Sequence, residues 1–257
     1  MHWTKDDKHP FAGIAKKLER ADQNIFNLHN EILKFFSDSK YPVIPHPDAE
    51  GWQEAVDYHR ALGIPKRFSV LSGEIVHHLR SCLDHLVWYF SSPQSRIDNE
   101  NSIEFPVYRE PLTKDQRSRY NRKIEGIANS NVIALIDGLQ PYHRGNDAIN
   151  DPICIIHDMD RFDKHRELTI VTACANATFP AGTSTETIRN VMKYRKGETL
   201  STEDFAMAQR AVKNDAKVTP QVAFAQFGNR KDQFVVPALT QLLNAMDSAV
   251  DLFAIEV

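Results

Sequence analysis

Residues 66–91 read KRFSVLSGEIVHHLRSCLDHLVWYFS, and this stretch decides the fold. Apolar side chains recur in it at spacings of three and four, which predicts one long amphipathic helix from about Lys66 to Ser91. Pro65 precedes the helix and Pro93 follows it, and both residues favour helix boundaries. The apolar stripe consists of Phe68, Leu71, Ile75, Leu79, Leu83, Leu86 and Phe90. We therefore expect a mainly helical protein.

The same periodicity recurs on both sides of this stretch. Phe11 to Ser37 carries a coiled-coil-like seam of apolar residues and predicts a second long helix. Shorter helices are predicted at Thr113–Gly126, at Ser130–Leu139 with a serine cap, at Ile149–Arg166, and after Pro237. Alternating patterns predict a short strand at Ala55–Leu62, an extended segment at 103–108, and strands at Leu168–Ala175 and Lys217–Phe227.

The fold class that follows is mainly α (α+β). We expect a bundle of four to five helices with a small appended antiparallel β-sheet. The bundle would form a single domain over 1–257, and residues 167–228 would be a β-containing insertion that decorates it. Thr183–Asn214 is polar and weakly periodic, which predicts one or two short helices.

Composition restricts the class of protein. The chain of 257 residues is 42% hydrophobic and 25% charged, which is typical of a soluble globular protein. No stretch approaches the ~20 apolar residues of a membrane helix, and no secretory signal is evident. The formal charge of −3 argues against a globally basic nucleic-acid binder. Cys82, Cys154 and Cys174 are sparse and odd in number, which indicates reduced thiols and a cytoplasmic location.

The helix at 66–91 has an unusual polar face. At about 100° per residue, the positions opposite the apolar stripe are Glu74, His77, Arg80, Ser81, Asp84 and Trp88, with His78 and His85 on the flank. One interpretation is a solvated face on which Arg80 and Asp84 form an i,i+4 pair. Solvated faces usually carry Lys and Glu, however, so this set of side chains also fits a site or an interface.

Four short motifs in the chain together indicate a family resemblance. LRSCLDHLVW (residues 79–88) is followed by IEFPV (103–107), LQPY (139–142) and DKHR (163–166). The set resembles an uncharacterised family of bacterial and phage proteins, over about Leu71 to Arg166. The resemblance implies a cytoplasmic protein of a bacterium or phage, and that family has no established activity.

The chain also resembles the HEPN-like helical superfamily, many of whose members are metal-independent ribonucleases with an R-x4-6-H motif. Arg80 and His85 match that motif. The resemblance implies that Arg80 stabilises the scissile phosphate, that His85 is the general acid/base, and that Ser81, Asp84 and His77 assist. On an unbroken helix Arg80 and His85 point about 140° apart. A shared site would then need a helix distortion or a second protomer, so this hypothesis predicts a homodimer.

The end of the helix at 149–166 offers a second wall for such a site. Asp163 and Arg166 fall on its inward, apolar face, where a charge is costly unless it is paired. They would pair with each other or reach the Arg80–Asp84 face, as a register-fixing network or as substrate-binding groups together with Trp88. His157 and Asp158 are interpreted as surface residues.

A metal site has weaker support. Glu74-x-x-His77 has the spacing of carboxylate-bridged di-metal bundles, but the chain has no second Glu-x-x-His motif. We therefore predict no metal ligands and no cofactor. Basic stretches at 114–123 and 189–196 could contact RNA phosphates, but interspersed acidic residues favour solvated surfaces.

Three functions are consistent with the sequence. The first is a metal-independent endoribonuclease of the toxin or phage-defence type, which requires Arg80 and His85 to share an exposed cleft. The second is a non-catalytic HEPN-like binding or structural module for a partner or nucleotide, in which Arg80 can be buried in an ion pair. The third is a metal-dependent helical-bundle enzyme with its metal near Glu74 and His77.

Overall fold

The computed structural model describes residues 8–42, 51–178, 184, 186, 189, 201–204, 217–225 and 233–257. The fold is mainly helical with a small two-stranded antiparallel sheet, as predicted. The helices are α1 (Ala12–Ser37), α2 (Trp52–Ala61), α3 (Lys66–Phe90), α4 (Pro93–Asp98), α5 (Lys114–Lys123), α6 (Ser130–Gly138), α7 (Pro152–Asp163) and α8 (Val235–Ala254). A 3-10 helix occupies Pro141–Asn150, and the strands are β1 (Ile170–Thr178) and β2 (Lys217–Phe224).

The chain forms two compact units. The first unit contains Met1–His29, Pro65–Thr169 and Phe224–Val257, and the second contains Asn30–Ile64 and Ile170–Ala223. The prediction of a single domain with an insertion at 167–228 stays a prediction. The helices predicted within Thr183–Asn214 lie almost entirely outside the described residues.

The core of the first unit is built around α3. This helix packs against α7 and α8, and α8 in turn packs against α6 and α7. The predicted apolar stripe of α3 supplies fully buried side chains, including Leu79, Leu83 and Leu86. The packed helices supply buried side chains of their own, including Ile156 from α7 and Leu242 from α8. The threefold and fourfold spacing of the sequence therefore identifies the buried face of α3 correctly.

The second unit contains α2, where the prediction of a strand at Ala55–Leu62 is wrong. Trp52–Ala61 is helical, and its buried side chains are Ala55 and His59, one helical turn apart. The apolar and polar residues that seem to alternate here belong to a short helix, which has too few turns to reveal its helical period in the sequence. His59 Nε2 lies 2.7 Å from the carbonyl oxygen of Tyr41, and its ring contacts Phe36 at 5.7 Å between centroids.

Side-chain caps set several helix starts in the first unit. Thr113 and Gln116 form a capping box at α5. Asn129, not the predicted Ser130, caps α6, because its side chain accepts from the N–H groups of the first turn. Asp151 caps α7, so this helix begins after Ile149 and ends at Asp163. Among the described residues, no helix is long and apolar enough to cross a membrane.

Candidate functional site

The extended segment 103–108 is held by side chains in place of a neighbouring strand. Asp84 Oδ1 accepts the backbone N–H of Phe105 at 2.9 Å, and Arg80 Nη2 donates to the carbonyl oxygen of Phe105 at 3.0 Å. Arg80 Nη1 also donates to Asp84 Oδ1 at 2.6 Å. The Arg80–Asp84 pair therefore satisfies both backbone groups of one buried residue, as a sheet partner would.

Gln140 performs the same task one step along the segment. Its Nε2 donates to the carbonyl oxygen of Pro106 at 2.8 Å, and its Oε1 accepts the N–H of Tyr108 at 3.2 Å. The backbone N–H of Tyr142 donates to the carbonyl oxygen of Tyr108 at 3.1 Å. Gln140 is buried, so these bonds replace water that the segment cannot reach. Three of the four sequence motifs, at 79–88, 103–107 and 139–142, thus meet around the 103–108 segment. We call this meeting point the joint.

A charged network extends from this joint to the surface. Lys123 Nζ lies 2.7 Å from Glu104 Oε1, and Arg80 Nη2 lies 4.0 Å from Glu104 Oε2. Burial alone would raise the pKa of Glu104, but the hydrogen bond and charge of Lys123, together with Arg80, hold it below its usual value. Burial, and then the nearby charge of Arg80, lower the pKa of His157 to about 4. His157 is thus half-buried and neutral, not the surface residue predicted.

Arg80 does not lie in an exposed cleft, which the ribonuclease hypothesis requires. The residue is 4% exposed, because the 103–108 segment covers the side of α3 that helical periodicity assigns to solvent. Burial raises the pKa of its partner Asp84, with the charge of Arg80 opposing that effect. Four hydrogen-bond or ionic contacts within the chain engage the guanidinium and its carboxylate partner.

His77 sits on a different side of α3, paired with α7. Its Nδ1 lies 3.2 Å from Oδ1 of Asp160, while its side chain remains 59% exposed. Asp160 is buried, and its Oδ2 also accepts from Lys164 Nζ at 2.7 Å. A buried carboxylate that fixes one ring nitrogen leaves the other available, which is the usual arrangement of a general acid/base histidine.

A cleft of about 410 Å³ opens beside this pair. In its lining, Gly73 makes room for the Asp163 carboxylate, because a Cβ at that position would lie 2.4 Å from Asp163 Oδ2. Burial and the neighbouring Asp160 raise the pKa of Asp163. The cleft is lined by Ser69, Val70, Gly73, Glu74, His77, Asp160, Asp163, Lys164, Arg166 and Glu167.

Among the described residues, Asp163 and Arg166 pair neither with each other nor with Arg80 and Asp84. Asp163 lies half-buried against Gly73, and Arg166 is exposed with its guanidinium 5.8 Å from the ring centroid of Phe162. The helical wheel places them inward, but α7 ends at Asp163, so Arg166 lies beyond the helix. Asp160, which the sequence analysis did not select, provides the carboxylate that reaches α3.

The remaining predicted residues of α3 are exposed or half-buried. His85 and Trp88 are exposed and Ser81 is half-buried. Burial, and then the charge of Lys17 from α1, lower the pKa of His85. Arg96 lies 5.7 Å from the Trp88 ring centroid. Arg80 and His85 therefore do not share an exposed cleft, although the second of them is accessible.

Metal ligands do not converge in this part of the chain. Among the described residues, no group of three or more His, Cys, Asp and Glu side chains is arranged to hold a metal ion. Glu74, half of the Glu-x-x-His motif, instead accepts a hydrogen bond from Asn24 at 3.3 Å.

A second concavity, of about 440 Å³, lies between α1 and α8. Sequence reasoning selected none of its polar residues, among them Glu19, Asp22 and Asp247. Burial raises the pKa of Asp247, whose Oδ1 is buried without a hydrogen-bond partner in the described chain. Asp160 and Asp247 have one sequence feature in common that could have identified them. Each is a carboxylate within one helical turn of apolar residues, and those apolar residues are buried in the structure.

Comparison of the chain with protein-family models, with curated proteins and with solved structures finds no match. The assignment of the four motifs to a family stays a prediction from the sequence. The functional interpretation therefore rests on the burial and contacts of the site residues.

Proposed function

We propose that the chain is a HEPN-like helical binding module that does not cleave RNA. One observation carries the proposal: Arg80, the residue that would stabilise a scissile phosphate, is buried and bonded to Asp84 and to the backbone of Phe105. A buried guanidinium with these partners fixes the position of a chain segment. The buried, unpaired thiols of Cys82 and Cys154 support a cytoplasmic location.

A metal-independent ribonuclease is the second candidate. The observation that favours it is that His77 and His85 are both exposed, and that Asp160 orients His77. Imidazoles can provide acid/base catalysis without Arg80, provided that other cations stabilise the phosphate. This candidate retains RNA as substrate and the homodimer that the resemblance implies.

An RNA cleavage assay in EDTA separates the two functions. Purified protein is incubated with mixed RNA beside a His77→Ala/His85→Ala variant, whose substitutions lie at exposed positions and so preserve the fold. We expect no cleavage by either protein. Cleavage by the unsubstituted protein alone would replace the binding module with the nuclease. Cleavage by both would indicate a contaminant, to be removed by further purification before the assay is repeated.

A further inference from the structure

Helices α1 and α3 run antiparallel with a fixed register. Asn24 Nδ2 donates to Glu74 Oε2 at 3.3 Å, and Cys82 Sγ lies 3.9 Å from the carbonyl oxygen of Ile14. As the residue number rises along α1, it falls along α3. Counting from these contacts pairs Arg20 with His78, Lys17 with Ser81, and Gly13 with His85.

The residues so paired form one surface, here called the basic seam: Lys17, Arg20, His78, Ser81 and His85. The three residues of α3 recur at spacings of three and four, so they share one face of the helix. Lys17 and Arg20 are likewise three residues apart on α1. Gly13 adds open space at one end, since a Cβ there would meet no atom within 4 Å.

The donors of the basic seam are unused. Within the described part of the chain, Lys17, Arg20, Ser81 and His85 make no side-chain hydrogen bond or ion pair, and His78 Nδ1 is buried without a partner. Other cations of α1 are engaged: Lys16 pairs with Glu19 at 3.0 Å and Lys34 with Asp38 at 2.7 Å. The lack of partners is therefore specific to the side of α1 that faces α3.

The acidic groups at the two ends of the seam are already engaged. Glu74 accepts the hydrogen bond from Asn24, and Asp84 is held by Arg80 and Phe105. Burial and Lys17 lower the pKa of both seam histidines, so they are mainly neutral near pH 7 and the net positive charge comes from Lys17 and Arg20.

The geometry points to a phosphate-binding site in the basic seam. A lysine, an arginine, two imidazoles and a hydroxyl are all phosphate ligands, and together they offer more donors than a single carboxylate could occupy. The seam spans about 10 Å from His78 to His85 at 1.5 Å rise per residue, enough for one phosphate group or a short stretch of a phosphodiester backbone. This inference rests on the proposed function, since it gives the binding module its ligand.

Binding is tested with a fluorescein-labelled, ~12-nucleotide single-stranded RNA. Its anisotropy is measured in EDTA against the unsubstituted protein, a Lys17→Gln/Arg20→Gln variant, and a matched Lys16→Gln/Lys34→Gln control. The control removes the same charge from the same helix, but outside the seam. We expect the seam variant to bind at least about tenfold more weakly, and its salt dependence to lose about 1.4 in log–log slope.

Inorganic phosphate provides the second probe, read as a shift in Tm. A rise in Tm for the unsubstituted protein but not for the seam variant would assign the site to a free phosphate group. RNA binding lost in the variant without such a rise would assign it to a phosphodiester backbone. Equal affinity of seam variant and control, or no response to either probe, would overturn the inference.

The same samples distinguish this inference from the proposed function. Shortened RNA on a gel would refute the non-catalytic module, yet the seam would stand if its variant still bound more weakly than the control. Intact RNA with no binding would refute the seam and leave the non-catalytic module untouched.

Discussion

At the scale of single residues, Arg80 connects helix α3 to the 103–108 segment. Its guanidinium is buried within the first unit, so replacing it leaves the half-buried carboxylate of Asp84 without its cation. We expect Arg80→Met to lower the free energy of unfolding by about 3–5 kcal/mol. Urea denaturation measures this change.

Two further variants make the test of Arg80 specific. His85→Ala, at an exposed neighbouring position, should stay within about 0.5 kcal/mol of the unsubstituted protein. Arg80→Met/Asp84→Asn should recover part of the loss, since the asparagine oxygen can still accept from Phe105 while the uncompensated charge is gone. A loss from Arg80→Met as small as that from His85→Ala would contradict the structural role.

His157 gives the first unit a specific dependence on pH. Its pKa is about 4 in the folded protein, from burial and the charge of Arg80, against an ordinary value of about 6.5. Between these values the unfolded chain binds a proton that the folded chain does not. The contribution of His157 to stability is therefore complete above about pH 6.5 and falls as the pH is lowered towards 4.

A His157→Gln variant tests this dependence. The unsubstituted protein should lose more stability between about pH 7 and about pH 5 than the variant does, as measured by urea denaturation at each pH. Glu104, Asp158, Lys123 and Arg161 surround the imidazole and remain in both proteins, so the difference isolates His157. Parallel pH profiles for the two proteins would show that the imidazole titrates normally.

At the scale of elements, the contact between α3 and α7 depends on Gly73. Alanine usually stabilises a helix interior by about 1 kcal/mol relative to glycine, but here its Cβ would lie 2.4 Å from Asp163 Oδ2. We expect Gly73→Ala to be less stable than the unsubstituted protein in thermal unfolding. Gly13→Ala, whose Cβ meets open space in α1, should be up to about 1 kcal/mol more stable.

Removal of the clashing side chain completes the test of Gly73. In the Asp163→Ala background, Gly73→Ala should become neutral or stabilising, since the obstructing carboxylate is absent. If the stability changes caused by Gly73→Ala and Asp163→Ala are simply additive, the close approach of Asp163 to α3 is not what requires glycine at position 73.

The segment 103–108 depends on Gln140 for two of its backbone partners. Gln140→Met preserves the volume but leaves the carbonyl group of Pro106 and the N–H of Tyr108 without partners. Each buried orphan costs about 1–3 kcal/mol, so we expect a loss of roughly 2–5 kcal/mol in urea denaturation. Gln94→Met, at an exposed glutamine of α4, is the matched control. An equal loss of stability in both variants would show that Gln140 does not stabilise the 103–108 segment.

Helical periodicity predicted the elements well where they are long. α1 and α3 match the predicted stretches to within a residue or two, because each repeats its apolar stripe over several turns. α2 was misread because its ten residues hold too few repeats. The burial of Arg80 could not be predicted, since the segment that covers it lies about 20 residues away in sequence and meets α3 through tertiary hydrogen bonds. Lys17 was missed because its relevance appears only in the α1–α3 register.

At the scale of the whole molecule, net charge and local charge differ. The formal charge is −3, so the chain as a whole has no attraction for a polyanion. The basic seam nevertheless places Lys17 and Arg20 on one surface, and within the described part of the chain neither cation has a side-chain partner. Any phosphate binding is therefore local, and it should weaken steeply with salt and be insensitive to acidic substitutions far from α1 and α3.

Oligomeric state gives the last prediction. The nuclease hypothesis needs a second protomer to bring a cation to His85, because Arg80 is buried within its own chain. The binding module has no such requirement, since the charge of Lys17 of the same chain already acts on that imidazole and lowers its pKa, after burial. We therefore expect RNA to stay intact in EDTA at every protein concentration, whatever mass light scattering gives. Cleavage that rises with the dimer fraction, and is lost in His85→Ala, would instead assign the site to two protomers.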